Sequence, residues 1–312
     1  MEEPIDILLA TYNGEKYLHK QIDSVLAQTY SNLKIWIRDD GSTDNTPQIL
    51  ATYQQKYPNK IHIIEDNLGN LGVTQNFNEL AKHSTAKFIA FCDQDDIWIP
   101  EKIEKSMVLI DEYLKKSNKS ICFVYSDMKI IDKYDNTTHD SFWKLAYLHP
   151  KHFTFNRLLM QNIPHGCTML MHQELKDMAF PIPKNAILHD HWLSLITVVF
   201  GQAIATEEQL VLIRNHGENV TQRKNNNWMR LKRFYKNFST QDEYIKHLMV
   251  RIEQAKAFQQ QYSSLLPEKE KQILEQFLLL EHTKGWKRKM IYIKNKFYRT
   301  TLFHTLKMIW RA

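Results

Sequence analysis

Three carboxylates stand within four residues at Asp93-Gln94-Asp95-Asp96, gripped between the apolar runs Phe88-Ile89-Ala90-Phe91 and Ile97-Trp98-Ile99-Pro100. Such charges repel one another unless a cation or hydrogen-bond donors compensate. A hard divalent cation, which takes oxygen ligands and shares them with phosphates, is one solution. An acidic, solvated turn is the other, and the apolar flanks favour a site over a turn. A second cluster, Asp39-Asp40-Gly41-Ser42-Thr43-Asp44, reads as a glycine turn with helix-capping side chains. It also offers a carboxylate able to accept from the ring N–H of uracil or thymine. Asp190 heads an apolar stretch, where a helix N-terminus would be capped by its carboxylate or keep it ionised.

The elements that must hold these residues alternate along the first 125 positions. Ile5 to Ala10 is a mostly apolar run, the pattern of a strand buried on both faces. Leu18, Ile22, Val25 and Leu26 then mark one face of a helix. Leu33, Ile35 and Ile37 alternate in a second strand, and Thr46-Pro47 predicts an N-cap followed by proline at the first helical position. Strands over Ile61 to Ile64, Lys87 to Cys92 and Ile121 to Tyr125 follow, with helices over Val73 to His83 and from Pro100. This alternation predicts an α/β fold whose mostly parallel sheet is covered on both faces. Ligands in such sheets bind beyond the carboxyl ends of the strands, where Thr11-Tyr12-Asn13-Gly14 joins the two acidic clusters. Further along, Cys167 to Met171 predicts a strand and Asp190 to Phe200 a buried helix. Ala203 to Ala205 and Leu210 to Arg214 predict two short strands, and the chain turns helical and amphipathic from Asn225.

At 312 residues, 43% hydrophobic and 24% charged, the chain is neither disordered nor fibrous. The net charge of +6 is unevenly placed. Residues 282–312 hold nine Lys and Arg and no acid, leaving 32 basic against 35 acidic residues elsewhere. A mildly acidic body with a basic tail points to an anionic partner for the tail alone. Trp286, Met290, Ile291, Ile293, Phe297, Tyr298, Leu302, Phe303, Leu306, Ile309 and Trp310 interleave with those charges, the composition of a segment lying in a bilayer interface. Docking of the same aromatics on the chain itself, or on a second copy, is the alternative. Three cysteines without a CxxC pair, and no signal-like stretch after Met1-Glu2-Glu3-Pro4, lead us to expect a reducing cytosol. No apolar run reaches the roughly 18 residues of a membrane span.

Taken in order, Ala10-Thr11-Tyr12-Asn13-Gly14-Glu15, Asp39 to Asp44, Asn67-Leu68-Gly69-Asn70-Leu71-Gly72 and Phe91 to Trp98 resemble the family 2 glycosyltransferases of the GT-A fold. His165-Gly166-Cys167-Thr168-Met169, His189-Asp190-His191-Trp192 and Arg214 to Asn219 are similar to a bacterial branch, the rhamnosyltransferases of cell-surface polysaccharides. The resemblance covers about residues 4–222. It implies a GT-A domain over 1–222 and a basic helical region over 223–312. It also implies a nucleotide-diphosphate sugar donor, dTDP-L-rhamnose by the branch with a UDP-hexose or UDP-N-acetylhexosamine as the alternative, and a glycan or lipid-linked acceptor; that acceptor and the basic tail lead us to expect a peripheral place at the inner face of the membrane.

By motif position, the resemblance places Ala10 and Tyr12 at the base and has Asp40 accept from its N3. Thr11, Asn13, Glu15, Asn76 and Gln94 stand among the donor contacts, and Asp93 lies near ribose and diphosphate. Asp95 and His216 would hold Mg²⁺ or Mn²⁺, and Asp190 would deprotonate the acceptor hydroxyl. His216 reads equally well as a loop histidine. The family often has an aromatic residue where His191 stands, and the Gln-x-x-Arg-Trp signature of processive synthases is absent.

One carboxylate base and one metal-bound leaving group predict single displacement with inversion. Two other classes compete. A nucleotidyltransferase would need a glycine- and lysine-rich loop at the first strand, where this chain has Thr11 to Lys16 and little else. A nucleic-acid- or membrane-binding module led by the tail would leave the ordered acidic motifs unexplained, and the acidic body argues against nucleic acid as a partner.

Overall fold

The apolar run at the start of the chain forms β1 (Ile5–Thr11), placed between β2 (Leu33–Asp39) and β4 (Phe88–Asp93) in a nine-stranded sheet. The structure is a computed structural model describing residues 2–215, 241–299 and 301–311. Contacts divide the chain into two units. The first comprises Met1–Phe142, Pro164–Lys184 and Leu188–Arg214; the second comprises Trp143–Ile163, Asn185–Ile187 and Asn215–Ala312.

In the first unit β3 (Ile61–Ile63) extends the sheet beyond β2, all parallel. Beyond β4 come β8 (Leu170–His172), β6 (Cys122–Ile131), β9 (Gln202–Arg214) and β5 (Ile97–Trp98), with β7 (Thr137–His139) on β6. The long ladders are parallel, including β6 with β9; the short ones, β4–β8, β6–β8, β5–β9 and β6–β7, are antiparallel. Helices α1 (Leu18–Leu26), α2 (Thr46–Lys56), α3 (Val73–His83) and α4 (Lys102–Lys116) link the strands. Phe77, Phe88, Phe91, Ile103 and Ile110 are wholly buried, so helix and sheet faces close on one core. Asp6 is buried within β1 because Ser84, Thr85 and Ala86 all donate to its Oδ2, which fixes the turn before β4.

Several expected boundaries move. Thr46 is the first residue of α2 rather than its cap: its Oγ1 accepts from Gly14 N, and Asp44 Oδ1 accepts from Thr46 N instead. Residues 166–168 form a 3₁₀ turn, so β8 starts later than Cys167. The two short strands expected before Arg214 are one, because register shifts around Asp127 on β6 absorb the polar interruption. Short helices α5 (Phe142–Ala146), α6 (Phe155–Leu158) and α7 (Gln173–Ala179) fill the less regular middle, and α8 spans His189–Phe200.

The described part of the second unit is helical, with α9 (Gln241–Tyr262), α10 (Glu268–Leu278), α11 (Gly285–Lys294) and α12 (Leu302–Arg311). Tyr244, Phe258, Phe277, Tyr292 and Phe297 form its core. Among the described residues no helix is long and apolar enough to cross a membrane.

Candidate active site

Register brings the polar clusters together. Thr11 pairs with Asp39 across β1–β2, and Ala10 pairs with Asp93 across β1–β4, so three strands end on one edge. Side chains then tie the loops to one another. Thr11 Oγ1 donates to Asp39 Oδ1 (2.9 Å), Asn13 Oδ1 accepts from Thr43 N (2.8 Å), and Glu15 Oε2 accepts from Asn45 N (3.0 Å). The Gln94 amide accepts from Tyr12 N (2.7 Å) and donates to Tyr12 O (2.9 Å). A methyl group on Gly14 would overlap that amide, and Asn13 takes a positive φ of 49°, which asparagine tolerates. Thr11, Asn13, Glu15 and Gln94 therefore spend polar atoms on joining loops, while Ala10 and Tyr12 sit half-buried at the edge.

Arg38 organises the next layer. It is 1% exposed, its Nε and one amino group form a fork on Asp66 (2.7 and 3.0 Å), and the other amino group reaches Asp40 (2.7 Å). Burial lowers its affinity for the proton, but Asp66 and Asp40 more than reverse that, so the guanidinium stays charged. Asp40 also accepts from Leu71 N and Gly72 N, both at 2.8 Å. Asn76 closes the arrangement, accepting from Arg38 and donating to its carbonyl (both 3.3 Å). Asp40 and Asn76 are thus buried parts of a loop-fixing network.

At the end of β4 the charges crowd. Burial, then Asp95 and Asp190, push Asp93 up to about 7. Asp96 is buried and raised further by burial, with Asp95 and Asp93 adding to it. Asp93, Asp96 and Cys167 each bring one potential ligand atom to within 4.8 Å of the others. Burial pushes the Cys167 thiol well up, and it hydrogen-bonds Asp96, so it stays a thiol. The oxygen ligands that suit Mg²⁺ or Mn²⁺ are then the carboxylates, and their mutual repulsion is what a divalent cation relieves. Asp190 lies in the first turn of α8, whose N-cap is Leu188, and its Oδ2 accepts from Gly166 N (3.2 Å). A side chain on Gly166 would overlap the ring of His189. His216 lies outside the described residues.

The family model described as "Glycosyl transferase family 2" matches residues 6–188. The chain belongs to that family. It is 30% identical over 223 residues to an uncharacterized glycosyltransferase of Nostoc sp., covering 69% of this chain and 66% of the relative. It is 30% identical over 194 residues to the Escherichia coli UDP-Glc:alpha-D-GlcNAc-diphosphoundecaprenol beta-1,3-glucosyltransferase WfgD, covering 62% and 69%. Among solved structures, S. aureus TarS 1-349 with UDP-GlcNAc matches at TM-score 0.58 and 18% identity, covering 94% of this chain and 80% of that one. The mannosyltransferase PcManGT from Pyrobaculum calidifontis, with GDP-Man and Mn²⁺, matches at 0.51 and 13%, covering 100% and 86%. These likenesses establish the GT-A type of fold. The chain spans about half to two thirds of the length of the first curated relatives it matches.

Three residues of this family 2 site escape a sequence reading. Arg214 is 1% exposed; its Nε donates to Asp95 O (3.0 Å), its N to Asp96 Oδ1 (3.2 Å), and it pairs with Asp135. It fixes the acidic loop; in sequence it ends an apolar strand and heads the Arg214 to Asn219 motif, and neither signal gives it this role. Arg38 carried the same signal in β2. His189 packs against Phe77 and Phe91 (ring centroids 4.3 and 4.8 Å), and burial brings it down to about 3.

Proposed function

We propose that this chain transfers a sugar from a pyrimidine nucleoside-diphosphate donor to an acceptor hydroxyl, with inversion. The observation that carries the reading is the meeting of Asp93, Asp95 and Asp190 at one sheet edge, close enough for their charges to raise Asp93. Ala10 and Tyr12 receive the base and Asp40 borders it, while Thr11, Asn13, Glu15, Asn76 and Gln94 hold the cradle in shape. Asp93 and Asp95 would hold Mg²⁺ or Mn²⁺, whose charge would offset that gained by the leaving diphosphate.

Asp190 takes the proton of the attacking hydroxyl. The Gly166 N–H, donating to Asp190 Oδ2, keeps that carboxylate aimed. A single base opposite the leaving group gives one displacement, so a β-L-rhamnosyl donor would yield an α linkage. The branch resemblance supports dTDP-L-rhamnose as donor. The relative WfgD, named for UDP-Glc, supports a UDP-hexose as the second candidate. Turnover of both donors with Mn²⁺ on a lipid-linked glycan tests the reading. Asp95→Asn and Asp190→Asn should each lower the rate by about 10³-fold or more with the fold intact. Full activity in EDTA removes the metal, and a near-normal rate in Asp190→Asn removes the base.

The acceptor side is membrane-bound in this reading. On α11, Trp286, Met290 and Ile293 are exposed opposite buried Arg288 and Tyr292; on α12, Phe303, Leu306 and Trp310 are exposed opposite buried Thr305 and Met308. Two apolar rows among seven basic residues that are not buried support docking on an anionic bilayer at its cytoplasmic face. Tyr292, Phe297 and Met308, apolar residues of the same tail, belong instead to the core.

A further inference from the structure

His189, the first residue of α8, is 4% exposed, and neither of its ring nitrogens has a hydrogen-bond partner among the described residues. Its ring packs instead on Phe77 of α3 and Phe91 of β4, with centroids at 4.3 and 4.8 Å. Those two rings meet edge to face at 5.2 Å, so the imidazole has little room to swing away. A buried imidazole with both nitrogens unmet is costly, and burial alone brings its titration down to about 3. An apolar side chain would avoid that cost. The polar atoms therefore do not account for a histidine at this position, and its size does.

Gly166 forms the third wall around the ring. A methyl group on Gly166 would overlap His189 Nε2 and come within 2.9 Å of Cε1 and 3.3 Å of Cδ2. Gly166 does not take a positive φ, so its backbone would accept alanine and only the ring forbids it. The far end of the imidazole thus lies flush on the Gly166 Cα. Phenylalanine would reach further at that end, and leucine would stop short of it. Gly166 opens the 3₁₀ turn 166–168, which is tied by Thr168 N to His165 O and by Met169 N to Gly166 O, both at 2.9 Å. A shift at Gly166 carries its N–H with it, and that N–H donates to Asp190 Oδ2 at 3.2 Å.

We infer that His189 is a positioning residue for the transfer: its ring, wedged between Phe77, Phe91 and Gly166, sets the Gly166 N–H that aims the Asp190 carboxylate. The inference rests on the reading of Asp190 as the base. In it the five-membered ring is a spacer of fixed length. A longer side chain lifts the turn off Asp190 and a shorter one lets it settle inward, and either change displaces a donor that favours the ionised carboxylate. Asp93, at the end of β4, also acts on Asp190 through its charge, and the substitutions below leave it in place.

The rates of Gly166→Ala, His189→Leu and the double variant test this, each with donor KM and the pH dependence of kcat. Gly166→Ala should lower kcat by about 10²-fold with donor KM unchanged. The acidic limb of its kcat profile should move to higher pH, because the displaced N–H no longer stabilises the charged form. Adding His189→Leu removes the end of the ring that meets the methyl group. The double variant should therefore regain about tenfold or more in kcat over Gly166→Ala, and its acidic limb should return. His189→Phe should act like Gly166→Ala in both readouts, and it carries the test if Gly166→Ala fails to fold. A normal rate in Gly166→Ala, or a double variant no faster than it, overturns the inference. So does a raised donor KM with the acidic limb in place, which would mean that the turn acts through Cys167 on Asp96. If Tm falls in Gly166→Ala and recovers in the double variant while kcat does not, the wedge serves the fold alone and the inference fails with the proposed reaction intact. A near-normal rate in Asp190→Asn is a different result, which removes the base and this inference with it.

Discussion

In the first unit Arg38 and Arg214 are buried and each meets carboxylates, Arg38 on Asp40 and Asp66 and Arg214 on Asp135. In the second unit Arg157 and Arg251 meet carbonyl oxygens. The same side chain thus does two jobs. Where the anion is built in, the guanidinium is a strut that fixes loops 66–72 and 93–96 around a cradle. Where it is not, the cation is held in place with charge to spare. Family 2 geometry explains the first arrangement, since a donor site needs its loops set before the donor arrives.

The sharpest way to break this comparison is to delete one arginine of each kind. Arg38→Met leaves Asp40 buried beside Asp66 without their cation, so it should cost about 3–5 kcal/mol in stability. Arg251→Met removes a half-buried cation without stranding an acid, so it should cost far less, about 1 kcal/mol for its lost hydrogen bonds. Urea denaturation of both variants compares them directly. Equal losses would mean that pairing is not what separates the two units.

Much of the first unit was legible because its signals are local. Apolar runs gave β1, β2 and β4, and the polar residues after them gave the edge where ligands bind. The strands Ile97–Trp98 and Thr137–His139 could not be read, since two or three residues become a strand only by pairing with β9 and β6. Arg38 and Arg214 were missed for a related reason. An arginine in an apolar strand reads as an edge or a solvent-facing position until its partners, 28 residues away for Asp66, are known. Gly166 and His189 likewise touch only in three dimensions. The carbonyl contacts of Arg157 and Arg251 were invisible, because they join α6 and α9 to distant parts of the chain.

Buried histidines extend the comparison at intermediate cost. His189 is held neutral by burial alone, whereas His152 is held so by burial and by Arg157. Between the ordinary value of 6.5 and about 3, an unfolded chain takes up a proton at this position that folded His189 refuses. Its contribution to stability is therefore intact above pH 6.5 and declines as pH falls, by about 1.4 kcal/mol per unit. His189→Phe, which keeps the aromatic packing on Phe77 and Phe91, should flatten the stability–pH curve between pH 6 and 4 by about one proton. An unchanged slope would show that His189 is reached by solvent.

The smallest effect separates the units by surface rather than by core. Trp286 and Trp310 are 72% and 74% exposed, on helices whose opposite faces are buried. An indole in water at that exposure gains by entering the headgroup boundary, where its ring is covered and its N–H stays wet. The seven basic residues of the tail that are not buried add about 1 kcal/mol for each that comes near an anionic surface, less as salt rises. Trp286→Ser and Trp310→Ser should therefore each weaken co-sedimentation with anionic vesicles by about 1–2 kcal/mol, with thermal stability unchanged. The loss should persist at high salt, because it removes apolar contact. Replacing Lys287 and Lys294 with Gln should instead weaken binding only at low salt. If both pairs respond alike to salt, attraction at the surface is electrostatic throughout and the indoles do not enter the bilayer. If neither pair matters, the apolar rows face something other than lipid.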